Sequence, residues 1–333
     1  MTEPLPDDAV LMTLAGIAYG APSSIGRYLG EAAPTAGWTL AWLADPADPP
    51  VNFAYIARDG GTGACVLAIR GTYPNPFSPA YWQDGAQDSP FGDMADWPRA
   101  PGAAIWAGTA QGLANLVALR NAEGVTLAAA VAALPPEAAL TVTGHSLGGT
   151  LAPVLALHLA EAEPDRCLGA VSFAGMTPGN QPFADLFGPG SRLEGRLRRV
   201  YNTLDTVAYG WDRVLATRDF YQPAPQGGLA VEALLVATAA RLALGGYGYA
   251  PVGPAVPLPG VLLREPVIPC DLVAYVFETL HQHMPDTYLA LLGAPPLPFS
   301  IVFGSAVVPR DHPAATGSPT PRPAPVHLDG IAR

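Results

Sequence analysis

Three short apolar runs, WTLAWLA over 38–44, VNFAYIA over 51–57 and ACVLAIR over 64–70, are separated by DPADPP and RDGGTG. Each run has the length of a strand, and each separator is made of the Pro, Gly and Asp that turns require. The pattern therefore predicts an antiparallel three-strand meander. Ahead of it, the apolar run Ala9 to Ala18 follows Glu3, Asp7 and Asp8. An acidic start suits a helix N-terminus, and without a basic flank or an A-x-A-like cleavage site the run reads as a helix rather than a secretory signal. From Ala103 onward the apolar spacing lengthens. It predicts helices over 103–120 and 125–134, a strand ALTVTG over 139–144 and a helix from Leu147 to about Glu161. A strand LGAVSFA over 168–174, a short helix around Pro182 to Phe187 and a strand RLRRVYN over 196–202 follow. Strands alternating with helices need crossover connections, so the expectation is an α/β fold with a mixed central sheet, antiparallel first and mostly parallel later, flanked by helices.

The later chain is less regular. Leu229 to Leu244 is apolar apart from Glu232 and Arg241, which reads as a buried or interfacial helix and not as a membrane span. Pro and Gly crowd between Gly245 and Pro269 and predict a long surface excursion. Helices from Asp271 to Leu280 and across Tyr288 to Leu292 come before a last apolar run, PFSIVFGSAVV. Residues 309–333 are rich in Pro and small residues and predict a disordered tail, leaving 1–308 as one domain. Two segments are placed to cover a site: 73–98, as a mobile lid, and, within the apolar and Pro-rich insertion 211–270, the Leu229 to Leu244 helix with its Pro-rich flank. For at least half of each, packing into a core is the expectation.

Hydrophobic residues form 50% of the chain and charged residues 14%, with a formal net charge of -11. A polyanion is repelled by phosphate backbones, so nucleic acid is excluded as a partner and any lipid contact is expected to be apolar. Cys65, Cys167 and Cys270 show no CxxC spacing and read as buried thiols, with neither disulfide framework nor zinc site. Lacking a recognisable signal or span, the chain is expected in the cytoplasm, with signal-independent export left open.

The chemistry-bearing segment is Gly144-His145-Ser146-Leu147-Gly148-Gly149, between the strand ALTVTG and a helix. A Ser on so sharp a strand-to-helix turn is exposed as a nucleophile, and Gly144 and Gly148 are needed where side chains would clash. The Leu147 N–H at the helix start is positioned to stabilise an oxyanion. Of six histidines, His145 belongs to the elbow, His158 lies deep in the next helix, and His312 and His327 fall in the tail. His283 is the preferred general base, at the edge of a loop, with His281 as the alternative that spacing leaves open. Asp205, just after the strand RLRRVYN, is the preferred acid over Asp185, Asp212 and Asp219. Thr72, in Gly71-Thr72 after ACVLAIR, is the candidate second oxyanion donor.

Four ordered segments resemble the class 3 lipases, the family that includes the fungal triacylglycerol lipases. LAIRGT (67–72) is similar to its oxyanion strand, followed by YWQD (81–84), which resembles the family's Trp-x-x-Asp. GHSLGG (144–149) is the elbow, and SFAGMTPGNQPFADLF (172–187) is similar to TFGxPRVGNxxFAxxF. VYNTLDTVAYG (200–210) resembles VxNxxDxVPxLP, which makes Asp205 the family's acid. The chain departs from the pattern where Met176-Thr177-Pro178 replaces the Arg-bearing stretch, and in the long segment between Asp205 and His283. The resemblance implies an α/β-hydrolase fold and a carboxylic ester hydrolase working through Ser, His and Asp without metal or organic cofactor. Its substrate would be a lipid or small ester, met during transient contact with a lipid interface. An acyltransferase or thioesterase with the same triad, and a non-catalytic binding module on this scaffold, are the competing expectations.

Overall fold

The computed structural model describes residues 4–46, 51–74, 78–98, 100–222, 225–263, 270–302 and 305–309; all but the first residue of the predicted tail lies outside these. At its centre is a seven-stranded sheet whose strands stand side by side in chain order. They are β1 (Trp38–Leu43), β2 (Ala54–Asp59), β3 (Cys65–Ile69), β4 (Leu140–His145), β5 (Leu168–Phe173), β6 (Leu197–Asn202) and β7 (Ala255–Leu258). The first three pair antiparallel and β3 to β7 pair parallel, which is the expected mixed sheet. Strand β2 starts three residues after its apolar run begins. Asn52 takes φ 48° there, and its side chain bonds to Gln87 at 3.0 Å, so the chain enters the sheet only after that turn.

Every position of β3, β4 and β5 is buried, as befits central strands covered on both faces. Helix α1 (Asp8–Ile17) packs on β3 and β4, with Leu11, Met12, Leu14 and Ile17 fully buried. Burying each such side chain contributes about 1.5–3 kcal/mol. The helix begins where Asp7 accepts the Ala9 N–H at 2.8 Å, the predicted acidic cap. Helix α2 (Pro79–Ala86) lies within the segment considered as a lid. Helix α3 (Leu147–Ala162) follows β4 directly and packs on β4 and β5. Helix α4 (Gly228–Gly245), α5 (Asp271–His283) and α6 (Pro285–Leu291) complete the elements used below.

Four expectations are corrected. Ala104–Trp106, expected as helix, is a short strand paired with Met94–Asp96 and Gly179 in a second sheet, so the helix starts only at Ala107. The Pro-rich stretch after Gly245 includes β7 at the sheet's edge, where Pro257 is tolerated because one side of an edge strand needs no donor. Of the three thiols only Cys65 is buried; Cys167 is partly exposed and Cys270 exposed. Finally, α4 buries no residue fully. Val231, Leu235, Ala239 and Leu242 form its half-buried stripe, while Leu229 and Leu244 are 84% and 89% exposed.

Candidate active site

Ser146 sits between β4 and α3 at φ 60°, ψ -126°, a conformation that costs a non-Gly residue energy and aims its side chain out of the turn. Its N–H donates to the Phe173 carbonyl at 3.0 Å, so the turn is pinned to the end of β5. A Cβ on Gly144 would strike the Gly148 carbonyl, one on Gly148 the Ile69 carbonyl, and one on Gly149 the Phe173 carbonyl. These glycines are close approaches between backbones, as the motif requires.

His283, the last residue of α5, brings its Nε2 to 2.8 Å from Ser146 Oγ and its Nδ1 to 2.8 Å from Asp205 Oδ2. His281 makes neither bond. Asp205 is fully buried in the loop after β6. Its Oδ2 also accepts the Tyr288 O–H at 2.7 Å, and its Oδ1 accepts the Val207 N–H at 2.9 Å. These donors compensate the burial of a carboxylate. Burial pulls the His283 imidazole down, but the charge and hydrogen bond of Asp205, aided by Asp88, outweigh it and hold His283 above its ordinary value of 6.5. Proton on Nδ1 and lone pair on Nε2 is the tautomer that this arrangement favours, with Nε2 free to take the hydroxyl proton.

Thr72 follows β3, and its hydroxyl donates to Asp88 Oδ2 at 3.2 Å. Withdrawal from water pushes the Asp88 carboxyl up to about 7, and its Oδ1 has no hydrogen-bond partner among the described residues. The loop is braced from behind by Asp84, which lies 3.6 Å from the Arg70 guanidinium and accepts the Tyr73 N–H at 2.9 Å. A Cβ on Gly71 would come within 2.6 Å of the His145 carbonyl, so only Gly lets this loop approach the elbow. Ser146, His283, Thr72 and Asp88 line a cavity of about 660 Å³ walled by Trp82 and Leu280. A larger opening of about 920 Å³ beyond α2 is lined by Gln111, Asn115 and Arg120, with no serine, cysteine or histidine among its lining residues.

Sequence reasoning thus placed Ser146, His283, Asp205, Thr72 and Leu147 in one neighbourhood, but it overlooked Tyr288, Asp88 and the part played by His145. Tyr288 and Asp88 carry no local signal, since each meets its partner through the fold.

Residues 66–209 match the family model described as lipase (class 3). That segment is a class 3 lipase segment. With it, the chain is a serine-triad carboxylic ester hydrolase of lipase type, with lipid esters as its substrate class. The structure is similar to that of M37 lipase, at 24% identity over 86% of this chain and 93% of that one, with a TM-score of 0.66. It is also similar to a mutant form of MDLA from Penicillium cyclopium, at 18% identity over 76% and 79% of the two chains and a TM-score of 0.51. At such identities the likeness is one of fold. No curated protein matches this lipase by sequence.

Proposed function

We propose that Ser146, His283 and Asp205 carry the hydrolysis as nucleophile, general base and orienting acid. The supporting observation is the unbroken pair of 2.8 Å contacts from Ser146 through His283 to Asp205. His283 removes the Ser146 proton as Oγ attacks the ester carbonyl, and Asp205 stabilises the imidazolium that forms. The Leu147 N–H and Thr72 hold the oxyanion. His283 then gives its proton to the leaving alcohol, leaving an acyl-enzyme. Water, deprotonated by the same imidazole, releases the acid and restores Ser146. Ser146→Ala should lower turnover of a p-nitrophenyl ester by about 10⁴-fold or more in a folded protein; residual activity within tenfold of the parent sinks the assignment. His283→Ala should be as inactive, and His281→Ala active; the reverse pattern would make His281 the base.

Contact with a lipid interface is the second part of the proposal. A surface helix ordinarily turns charge to water. The exposed positions Leu229, Ala230, Ala233, Leu234, Ala237, Ala240 and Leu244 on α4 carry none. Its two charged residues are engaged, Glu232 with Arg218 at 3.6 Å and Arg241 over the Phe91 ring. The net charge of -11 favours an electroneutral surface. Leu234→Asp with Leu244→Asp should reduce hydrolysis of a phosphatidylcholine-coated triolein emulsion by about tenfold or more, with the soluble-ester rate unchanged. An unaltered emulsion rate refutes the contact.

A further inference from the structure

The residue before the nucleophile does more than fill the elbow. His145 is 2% exposed, and its ring lies against that of His283, centroids 4.8 Å apart and planes inclined at 39°. Its Nε2 is 2.7 Å from the backbone carbonyl oxygen of His283, and its Nδ1 is 3.0 Å from the Tyr19 hydroxyl. A carbonyl can only accept, so His145 carries its proton on Nε2 and donates it there. Its Nδ1 lone pair then accepts from the Tyr19 O–H.

The carbonyl it reaches lies at a helix end. His283 closes α5, and the last carbonyls of a helix lack intrahelical donors. In the chain that follows, Met284 donates to His281, Thr287 and Tyr288 donate to Met284, and Pro285 has no N–H. The His145 imidazole therefore caps α5 at the residue that bears the base. His283 is then attached twice to one short stretch of chain, by its ring to Ser146 Oγ at 2.8 Å and by its backbone to His145.

We infer that His145, held in one tautomer by Tyr19, is a positioning residue that fixes the backbone of His283 so that its imidazole stays in line with Ser146 through both proton transfers. The neutrality of His145 belongs to the same device. Burial, with the His283 charge adding to it, keeps the His145 ring well below the ordinary histidine range. When His283 gains its proton, no second cation faces it at 4.8 Å. Without the Tyr19 hydroxyl, the proton on Nδ1 becomes accessible, and in that tautomer an Nε2 lone pair opposes a carbonyl lone pair.

The inference rests on His283 being the base, and an active His283→Ala variant would remove that reading first. The test compares His145→Leu, His145→Gln and Tyr19→Phe in the full chain, measuring kcat and KM on a p-nitrophenyl ester and folding by circular dichroism. A base displaced by a fraction of an ångström loses rate but not substrate affinity. His145→Leu should therefore lose about tenfold to a hundredfold in kcat at unchanged KM. His145→Gln, whose amide nitrogen reaches the same carbonyl, should recover to within about threefold of the parent. Tyr19→Phe should fall between them, again in kcat alone. Equal losses in the Leu and Gln variants would mean a packing role only and overturn the inference, as would parental kcat in His145→Leu. Should the Leu variant not fold, parental kcat in Tyr19→Phe overturns it, and a kcat-only loss there with His145→Gln near parental supports it.

Discussion

Replacing Tyr288 by Phe removes one oxygen from the knot of hydrogen bonds around Asp205, and it separates what holds the fold from what drives the reaction. The Tyr288 hydroxyl donates to Asp205 Oδ2 at 2.7 Å and accepts the Asn202 N–H at 3.0 Å, with all three residues fully buried. Losing a hydrogen bond to a buried charge costs about 1.5–3 kcal/mol, and an orphaned buried N–H costs about 1–3 kcal/mol more. The two share an atom and will not add fully. We therefore expect a loss of about 3 kcal/mol in unfolding free energy, seen in urea titrations as a lower midpoint at unchanged slope. The effect on rate should be much smaller. Asp205 is a carboxylate before, during and after proton transfer, so the Tyr288 bond is present in ground and transition states and largely cancels. His283 and the Val207 N–H still hold the carboxylate. The kcat of the folded variant should fall by less than about tenfold. An unshifted midpoint would refute the stability argument. A loss of about 10³-fold in kcat would refute the cancellation and place Tyr288 in the proton transfer itself.

Four further outcomes are expected. Because His283 must be neutral to accept the Ser146 proton and its value is raised, activity should be lost as pH falls through a midpoint above 6.5. Asp88→Asn removes an anion that contributes to that rise, so the acid limb of kcat/KM should move to lower pH; a limb that stays in place, or moves up, contradicts the coupling. The same variant bears on stability: Asp88 is raised to about 7, so its ionisation weakens the fold as pH climbs from its unfolded value through 7. Thermal melting should show Asp88→Asn gaining on the parent above pH 7 and the gap closing in acid. Separately, Gly148→Ala should abolish soluble folded protein or activity, since its Cβ meets the backbone carbonyl of Ile69 and no side chain can yield. A variant of parental stability and rate would show that β3 can shift.

Much of this lipase was legible in one dimension, where local chemistry is self-sufficient. The alternation of turn residues with apolar runs determined the meander, and the change to longer spacing determined the parallel half of the sheet, because strand and helix periods are properties of the chain itself. The elbow was legible as a motif: Gly144 answers to the Gly148 backbone four residues on, while the approach that demands Gly148 itself, to the Ile69 carbonyl, comes from the neighbouring strand. Asp205 and Thr72 could be read because each directly follows a strand of the parallel core.

What the sequence left open depended on partners distant along the chain. His281 and His283 differ by two residues, about 200° around a helix, so only the docking of α5 beside the elbow selects the ring that meets Ser146. Strand β7 was hidden in a Pro-rich stretch because an edge position relaxes the demand for donors. Whether helix α4 is buried or interfacial stayed open because apolar composition alone does not say whether a helix is covered, and it has no fully buried residue. Tyr288 and Asp88 lie 83 and 16 residues from the groups they hold, and His145 lies 138 residues from the carbonyl it caps. Such pairings have no period and no motif, and they exist only once the sheet has brought its strand ends together.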